Sequence, residues 1–548
     1  MIWLTTTYAV LCAIGLLYNE PAPAKPPVLT SLFPAGAARG EAVTVSATGG
    51  FDTWPPKIWT DREGLTITAS ADKEKFAVQV DPKAEPGIVR IRLYDDAGAS
   101  ELRPFVIGTL PEIEEIEPNN HPKHPQPIDR PTVTVNGKLD KTEDVDGFSV
   151  VLKRGQTLVA DLEANRRLGS PMDAVLQVVS SRGFVVAQNH DTQGLDPRIV
   201  FEAPADGPYT VRLFAFPSAP DSSIQFSGNF TFIYRLTLTT GPFLDQAFPL
   251  AFSRSENPSS LGVIGWNLAD GCAHEIPKDD GRDSFILNDP SLAGTALVRR
   301  VDGQVIEERE PNDLSHPQEI SSQGVVSGRI GSPGDKDVFE VALKKGDPCL
   351  FRVESRLFGF PLDATLRLLD ATGKTLAEAD DTGEVRDPQL AFTPPDDGRY
   401  RLVITDLYGH GGPRFAYLLH QRVPQPDFAL TVAADRFELT RDKPLSVVVT
   451  IDRKHGFSDP IEISVEDLPA GLVVYPVYSR NADASAKTVT LELRSQEDPV
   501  VVPGPFRIVG RCPDRKVRSR FAFADIPANA KTDHLWITLL PVAAPKDK

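Results

Sequence analysis

The chain carries two copies of one hexapeptide motif, as Glu115-Ile116-Glu117-Pro118-Asn119-Asn120 and as Glu308-Arg309-Glu310-Pro311-Asn312-Asp313, which differ at the second and sixth positions. After each hexapeptide the same short motifs follow in the same order: Gly137-Lys138-Leu139 and Gly328-Arg329-Ile330; Asp144-Val145-Asp146-Gly147-Phe148 and Asp335-Lys336-Asp337-Val338-Phe339; Gly207-Pro208-Tyr209 and Gly398-Arg399-Tyr400. The spacing between matched motifs hardly changes along the chain, and chance does not produce so many ordered matches. The sequence therefore contains an internal repeat, and each copy is one structural unit.

Within each copy, apolar and polar residues alternate in short runs, which is the period of a strand with one buried face. The clearest runs open with a phenylalanine: Phe148, Val150 and Leu152 in the first copy; Phe339, Val341 and Leu343 in the second. We expect the two phenylalanines to be buried at equivalent places. About eight such strands over ~120 residues predict a β-sandwich or jelly roll for each copy.

The order of these motifs resembles the bacterial pre-peptidase C-terminal (PPC) domain, which is similar in turn to the collagen-binding domains of clostridial collagenases. The resemblance covers residues 111–241 and 304–422, called here the first and second copy. It implies a calcium-stabilised β-sandwich that accompanies secreted enzymes and is not itself a catalyst. The combination of two such copies with immunoglobulin-like segments is similar to a planctomycete-type architecture.

The rest of the chain also favours short strands and tight turns. Its 49 prolines and 40 glycines are scattered between apolar runs, and almost no long stretch has apolar residues at helical spacing. We therefore predict an all-β protein made of tandem β-sandwich domains, jelly-roll and immunoglobulin-like. The segments outside the two copies are expected as follows: a signal peptide at 1–24, an immunoglobulin-like domain of the IPT/TIG type at 25–110, a small β or immunoglobulin-like segment at 242–303, an immunoglobulin- or fibronectin-like sandwich at 426–542, and a disordered tail at 543–548.

Export is predicted from the N-terminus. The apolar stretch from Tyr8 to Leu17 precedes Ala22-Pro23-Ala24, which is typical of a secretory h-region and its small-residue cleavage site. We expect a secreted, periplasmic or cell-envelope protein without a transmembrane span after cleavage. The formal net charge of −17 excludes the basic footprint that nucleic-acid binding requires.

The repeat motifs are rich in oxygen donors, which Ca²⁺ prefers. The candidate calcium ligands are Glu115, Glu117, Asn119, Asn120, Asp144 and Asp146 in the first copy and Glu308, Glu310, Asn312, Asp313, Asp335 and Asp337 in the second. In an extended chain Glu308 and Glu310 point the same way, so both can face one ion. The alternative is that these residues are turn formers and solvated acids. Because Asp313 replaces Asn120, the second copy is expected to bind calcium more tightly.

No catalytic motif accompanies these residues. The sequence lacks a G-x-S-x-G elbow, an H-E-x-x-H pair and a P-loop. We therefore expect a non-catalytic binding or structural protein that contacts an extracellular or envelope polymer or protein. Two alternatives stay open: an accessory component of a secreted peptidase system, and a hydrolase of a kind that these motifs do not reveal.

Overall fold

A computed structural model describes residues 24–219, 225–256, 260–321, 323–382, 386–496, 502–512 and 519–540. The expected signal peptide, apart from residue 24, and the expected tail lie outside these ranges. Nearly every ordered element is a β-strand, so the all-β prediction is confirmed. In the part of the chain that the structure covers, no helix is long and apolar enough to cross a membrane.

The N-terminal sandwich comprises β1 Val28–Phe33, β2 Gly36–Ala38, β3 Ala42–Gly50, β4 Lys57–Thr60, β5 Leu65–Ala69, β6 Lys75–Val80, β7 Gly87–Asp95, β8 Gly98–Ala99 and β9 Arg103–Gly108. One sheet has the order β1-β3-β6-β5 and the other the order β2-β9-β7-β4, with β8 beside β7. Strict alternation along β6 buries Phe76, Val78 and Val80 between the two sheets.

The first copy comprises β10 Glu112–Glu114, β11 Gln126–Ile128, β12 Thr132–Lys138, β13 Asp146–Leu152, β14 Thr157–Glu163, the short helix α1 Asn165–Leu168, β15 Met172–Ser180, β16 Val185–Asn189, β17 Arg198–Glu202, β18 Gly207–Pro217 and β19 Ile233–Thr239. Two sheets with the orders β10-β12-β19-β14-β17 and β11-β13-β18-β15-β16 face each other across one apolar core. The short strands β10 and β11 each add a parallel edge to an otherwise antiparallel sheet.

The small module comprises β20 Phe243–Phe248, β21 Ala251–Ser253, β22 Ser260–Trp266, β23 Ala273–Glu275, β24 Ser284–Leu287, β25 Ala293–Gly294 and β26 Ala296–Val301. Its sheets have the orders β23-β22-β20-β25 and β21-β26-β24. Its core is the smallest of the five sandwich cores and includes Leu244, Phe252 and Val298.

The second copy comprises β27 Val305–Glu307, β28 Gln318–Ile320, β29 Gly324–Arg329, β30 Asp337–Leu343, β31 Cys349–Glu354, a 3₁₀ turn at Arg356–Phe358, β32 Ala364–Leu369, β33 Thr375–Ala379, β34 Gln389–Phe392, β35 Gly398–Asp406 and β36 Ala416–Arg422. Its sheets have the orders β27-β29-β36-β31-β34 and β28-β30-β35-β32-β33, strand for strand those of the first copy. Phe148 and Phe339 are both fully buried, as the shared pattern predicted.

The C-terminal sandwich comprises β37 Asp427–Val432, β38 Arg436–Thr440, β39 Leu445–Lys454, β40 Ile461–Glu466, β41 Leu472–Val474, β42 Val477–Ser479, a 3₁₀ turn at Ala484–Ala486, β43 Thr488–Ser495, β44 Gly504–Arg511, β45 Arg520–Ile526, β46 Ala530–Thr532 and β47 Leu535–Leu540. Its main sheet path is β38-β47-β44-β45-β37-β39-β43-β41. Each sheet described above takes its strands from only one of the five strand groups, namely the N-terminal sandwich, the first copy, the small module, the second copy and the C-terminal sandwich. The exact domain boundaries stay a proposal.

Strand groups that are distant in sequence pack together. The Arg92 side chain on β7 is fully buried and forms an ion pair with Asp435, at 2.5 Å, just before β38. The same guanidinium lies over the ring of Trp536 on β47, 5.6 Å from its centroid. The N-terminal and C-terminal sandwiches therefore share an interface in which a buried charge is paired.

Candidate metal centres

Each hexapeptide lies where the two sheets of its copy meet. After β10 the chain continues in contact with β12, since the amide of Glu115 donates to the carbonyl of Asn136 at 2.9 Å. The amide of Glu308 donates in the same way to Ser327, at 3.0 Å. Asp146 begins β13 in the opposite sheet, and this arrangement brings the ends of both sheets to one place.

In the first copy, carboxylate oxygens of Glu115, Glu117 and Asp146 all lie within 4.8 Å of one another. The amide of Lys138 donates to Oε1 of Glu115 at 2.9 Å. The phenolic oxygen of Tyr234 lies 2.9 Å from Oε2 of Glu115 and 2.5 Å from Oδ2 of Asp146. One hydroxyl proton serves only one of these oxygens at a time, so the three carboxylates share fewer donors than they have lone pairs.

The second copy repeats this triad with Glu308, Glu310 and Asp337, again within 4.8 Å. Tyr417 donates to Oδ2 of Asp337 at 2.5 Å, and the amide of Arg329 donates to Glu308. Both triads therefore combine one buried aspartate, one half-buried glutamate and one exposed glutamate. In each triad the exposed glutamate is the member in contact with solvent.

The glycine of each repeat motif makes room for the glutamate and the tyrosine. A Cβ at Gly137 would lie 2.2 Å from Cζ of Tyr234 and 2.6 Å from Oε2 of Glu115. At Gly328 the corresponding distances, to Tyr417 and Glu308, are 2.5 and 2.8 Å. No side-chain carbon fits at such distances, which explains why both copies place glycine there.

Burial disfavours the ionised form of the two more buried carboxylates of each triad, so it raises their pKa values. Desolvation raises the pKa of Glu115 and of Glu308 to about 7. Desolvation, with the charge of Glu308 beside it, raises the pKa of Asp337 to about 9, and the pKa of Asp146 is also raised well above its ordinary value. A cation between the carboxylates would remove this penalty, because opposite charge favours the ionised form.

The unpartnered atoms of the triads are oxygens suited to a metal ion. Oδ1 of Asp146 and Oδ1 of Asp337 are buried and accept no hydrogen bond from any residue that the structure describes. Buried polar atoms are normally satisfied, so these two require an explanation. Three converging carboxylates and no nitrogen or sulfur donor make an oxygen site of the kind that hard divalent cations take. Both clusters could hold a metal ion.

The asparagines that were expected as ligands support the triads. Asn119 and Asn312 are buried, and each donates its backbone N–H to the side chain of the exposed glutamate two residues before it. Oδ1 of Asn119 accepts from the amide of Gly147, whereas Nδ2 of Asn312 donates to Oε1 of Glu308 at 2.9 Å. Oδ1 of Asn312 is buried and unpartnered among the described residues, so it is a further candidate donor to an ion.

The other expected ligands lie outside the triads. In the first copy Asn120 donates to Asp144, whose second oxygen accepts from the amide of Asp140 at 2.7 Å. In the second copy Asp335 accepts from the amides of Gly331 and Lys336. Asp313 is exposed and accepts from Ser315 and His316 in a turn. Asp313 therefore lies outside the second triad, and each triad contains three carboxylates. The expected difference in calcium affinity stays a prediction, and the triad geometry does not support it.

The sequence reasoning missed the tyrosines. A signal for them exists, because Phe232-Ile233-Tyr234 and Phe415-Ala416-Tyr417 occupy matching places in the two copies. Pairing of β12 with β19 sets Gly137 opposite Tyr234, and pairing of β29 with β36 sets Gly328 opposite Tyr417. Sequence alone does not show which glycine faces which tyrosine.

Comparison with known proteins finds partial likenesses. No protein-family model matches the chain. Over 113 residues the chain is 33% identical to a probable subtilase-type serine protease of Deinococcus radiodurans. The matched segment is 20% of this chain and 14% of that protease. The chain thus spans a small fraction of that protein, whose activity does not transfer to it.

Two solved structures are similar over part of the chain. The pre-peptidase C-terminal domain of a collagenase from Bacillus anthracis is 17% identical, over 19% of this chain and 93% of that domain, with a TM-score of 0.16. A periplasmic inhibitor of g-type lysozyme from Aeromonas hydrophila is 13% identical, over 24% of this chain and 96% of that protein, with a TM-score of 0.15. The PPC-like nature of the two copies, their number and a planctomycete-type architecture stay predictions.

Proposed function

We propose that this chain is an exported, non-catalytic binding or structural protein whose two PPC-like copies are stabilised by calcium and contact an extracellular or envelope polymer or protein. The observation that carries this proposal is the pair of equivalent carboxylate triads at the sheet junctions of two otherwise matching sandwiches. A site built twice in the frame of a sandwich suits a stabilising ion better than a catalytic one.

Calcium suits the triads better than other common divalent ions. It takes about six to eight oxygens in irregular geometry, whereas Mg²⁺ requires a near-ideal octahedron. Two glutamates and one aspartate per triad offer up to six carboxylate oxygens, to which water adds through the exposed glutamate. Zinc prefers nitrogen and sulfur donors, and neither triad includes histidine or cysteine.

The ion would act on stability because its ligands come from separate parts of each copy. Glu115 and Glu117 belong to the segment after β10, and Asp146 begins β13 in the facing sheet. An ion that binds only the folded state stabilises it by about 2.7 kcal/mol when its concentration is 100 times Kd. Calcium would thus crosslink the two sheets of each copy.

Calcium titration of the full chain, followed by calorimetry and by thermal unfolding, tests this proposal. We expect calcium to raise the melting temperature relative to chelator, and magnesium to do so less. Asp146→Asn combined with Asp337→Asn removes one buried anionic ligand from each triad and should abolish most of the shift. Asp129→Asn, on an exposed aspartate of the first copy, is the matched control. No calcium-dependent shift in the unaltered chain would refute a calcium role.

An accessory role in a secreted peptidase system is a second candidate, supported by the partial identity to a probable subtilase-type protease. In that case the chain should co-purify with a separately encoded peptidase and alter its activity or stability. Turnover of casein, collagen or polysaccharides by the pure chain, lost on substitution of one acidic or serine residue, would contradict both non-catalytic candidates.

A further inference from the structure

A cavity of about 450 Å³, called here the central cavity, lies where four strand groups meet. Arg62 of the N-terminal sandwich, Arg166 of the first copy, Gln246 of the small module and Phe358 of the second copy all line it. Its volume falls within the roughly 300–1,000 Å³ of small-molecule sites, which are frequent at domain interfaces. No triad residue lines this cavity.

The central cavity is basic although the chain as a whole is acidic. Its lining includes five arginines and two carboxylates. Three of the arginines are paired: Arg167 with Glu163, Arg282 with Glu85, and Arg414 with Asp245. Among the residues that the structure describes, the side chains of Arg62 and Arg166 form no ion pair, and the Arg166 guanidinium donates only to the neutral Gln193. Both guanidinium groups feel the charge of nearby carboxylates, but neither has a carboxylate at ion-pair distance.

The unpartnered nitrogens of Arg62 indicate which kind of ligand group suits the central cavity. Its Nε and Nη2 are buried and have no hydrogen-bond partner among the described residues. Burial lowers the pKa of the Arg62 guanidinium, which reflects the cost of a poorly solvated charge. A guanidinium presents parallel N–H groups that match the two oxygens of a carboxylate or phosphate. The cavity thus favours an anionic group of that shape.

Gln246 adds a second requirement. This side chain is 1% exposed, and its Nε2 donates to the carbonyl of Pro413 at 2.8 Å, which sets the orientation of the amide. Its Oε1 is buried and accepts no hydrogen bond from the described residues. A buried acceptor without a partner costs free energy, and a hydroxyl group would satisfy it. The ligand should therefore carry a hydroxyl as well as an anion.

The second copy contributes an apolar surface. The rings of Phe358 and Phe360 stack with centroids 5.7 Å apart and an interplanar angle of 9°. Both residues line the central cavity beside Leu357, whose side chain is half exposed. Apolar ring surface of this kind packs against the C–H face of a saturated ring. The cavity lining thus combines arginines without an ion-pair partner, an unpartnered amide oxygen and an apolar ring surface.

We infer that the central cavity binds a sugar acid, a saturated ring with a carboxylate and hydroxyl groups, either free or as a residue of an acidic polysaccharide. Arg62 and Arg166 hold the carboxylate, Gln246 accepts a hydroxyl proton, and Phe358 packs against the ring. The inference rests on the proposed function in one respect, since the ligand is bound and released unchanged. It names the ligand class that a non-catalytic binding protein of this shape would take.

Calorimetry on the full chain in chelator tests the inference with three probes: galacturonic acid, a short galacturonate oligomer, and the methyl ester of the same oligomer. We expect the acid and the oligomer to bind and the ester, which lacks the charge, to fail. Tighter binding of the oligomer identifies a polysaccharide as the source, and equal affinity identifies the free sugar acid. Equal binding of the ester, equal binding of inorganic phosphate, or no binding of any probe would overturn the inference.

Substitutions locate the binding. Arg62→Gln and Arg166→Gln should each weaken binding of galacturonate about tenfold or more, since a hydrogen bond to a charged group is lost. Arg182→Gln, on an exposed arginine in the turn after β15, should leave affinity unchanged. Thermal unfolding confirms that each variant folds, and wild-type affinity in a folded Arg62→Gln would overturn the inference. Cleavage of the oligomer would instead contradict the proposed non-catalytic function.

Discussion

The phenolic oxygen of Tyr417 lies 2.5 Å from Oδ2 of Asp337, and Tyr234 stands at the same distance from Oδ2 of Asp146. Each tyrosine belongs to one sheet of its copy and each aspartate to the other. All four side chains are fully buried. These hydrogen bonds therefore connect the two sheets of each copy at its carboxylate triad. They also fix the orientation of the buried aspartate in the triad.

Replacing Tyr417 by phenylalanine should destabilise the chain by about 1–3 kcal/mol, because Asp337 loses its donor while it stays buried. The free energy of unfolding from urea denaturation measures this. Tyr408→Phe is the matched control, since that ring is 70% exposed. Equal stability of the two variants would show that the hydrogen bond to Asp337 contributes nothing.

Phe339→Ala should cost about 3–5 kcal/mol, as truncation of a core aromatic residue does. The Phe339 ring is fully buried in the core of the second copy, whereas the exposed Phe184 serves as the control position. Denaturation of the two alanine variants compares them. A loss below about 1 kcal/mol for Phe339→Ala would contradict its place in the core.

The metal-free chain should lose stability as the pH rises from 5 to 9. The pKa of Glu115 and Glu308 is raised in the folded state from 4.5 to about 7, and that of Asp337 from 3.8 to about 9. The folded state thus binds more protons than the unfolded state between these values, so the stabilisation is complete below the unfolded pKa and is lost through the folded pKa. Urea denaturation in chelator at several pH values measures the slope.

Calcium should act in the opposite direction, because an ion binds the ionised carboxylates and competes with protons. The stabilisation by calcium should accordingly grow as the pH rises through about 7, where Glu115 and Glu308 ionise. The Asp146→Asn, Asp337→Asn double variant should show a flatter pH profile in chelator. A profile that stays the same in this variant would mean that other groups cause the slope.

Asp435→Ala should destabilise the chain by about 3–5 kcal/mol, since it leaves the buried charge of Arg92 without its partner. Arg92 is fully buried, and two of its guanidinium nitrogens already lack hydrogen-bond partners among the described residues. Asp442→Ala, at an exposed position, is the control. Replacing Arg92 by methionine in the Asp435→Ala background should recover stability, and a further loss would argue against this account.

Much of the fold could be predicted because its signals are local. Alternation along β13 and β30 identified the strands and their buried faces, including Phe148 and Phe339. The repeat predicted that the two copies share one architecture, and their sheet orders agree strand for strand. Predicting these features requires only the two-residue side-chain period of a strand and the comparison of one sequence segment with another.

The candidate sites depended on contacts that no local pattern shows. The sequence placed Glu115, Glu117 and Asp146 in one ligand set, but it grouped Asp313 with their counterparts, whereas the structure gives Asp313 to an exposed turn. Short polar side chains cap turns and bind metals with the same oxygens, so composition cannot separate the two roles.

The sequence by itself determined the strand-rich class, the duplication and the residue types that a hard cation would require, because these follow from periodicity and from side-chain chemistry. Only the tertiary structure decided which carboxylates converge, that Tyr234 and Tyr417 join the sheets beneath them, and that Arg62, Arg166 and Gln246 line one cavity. These residues come from separate strands, and in the cavity from separate strand groups, so their meeting depends on sheet pairing and packing between groups. Such long-range geometry is set by the whole fold and leaves no pattern in any single stretch of chain.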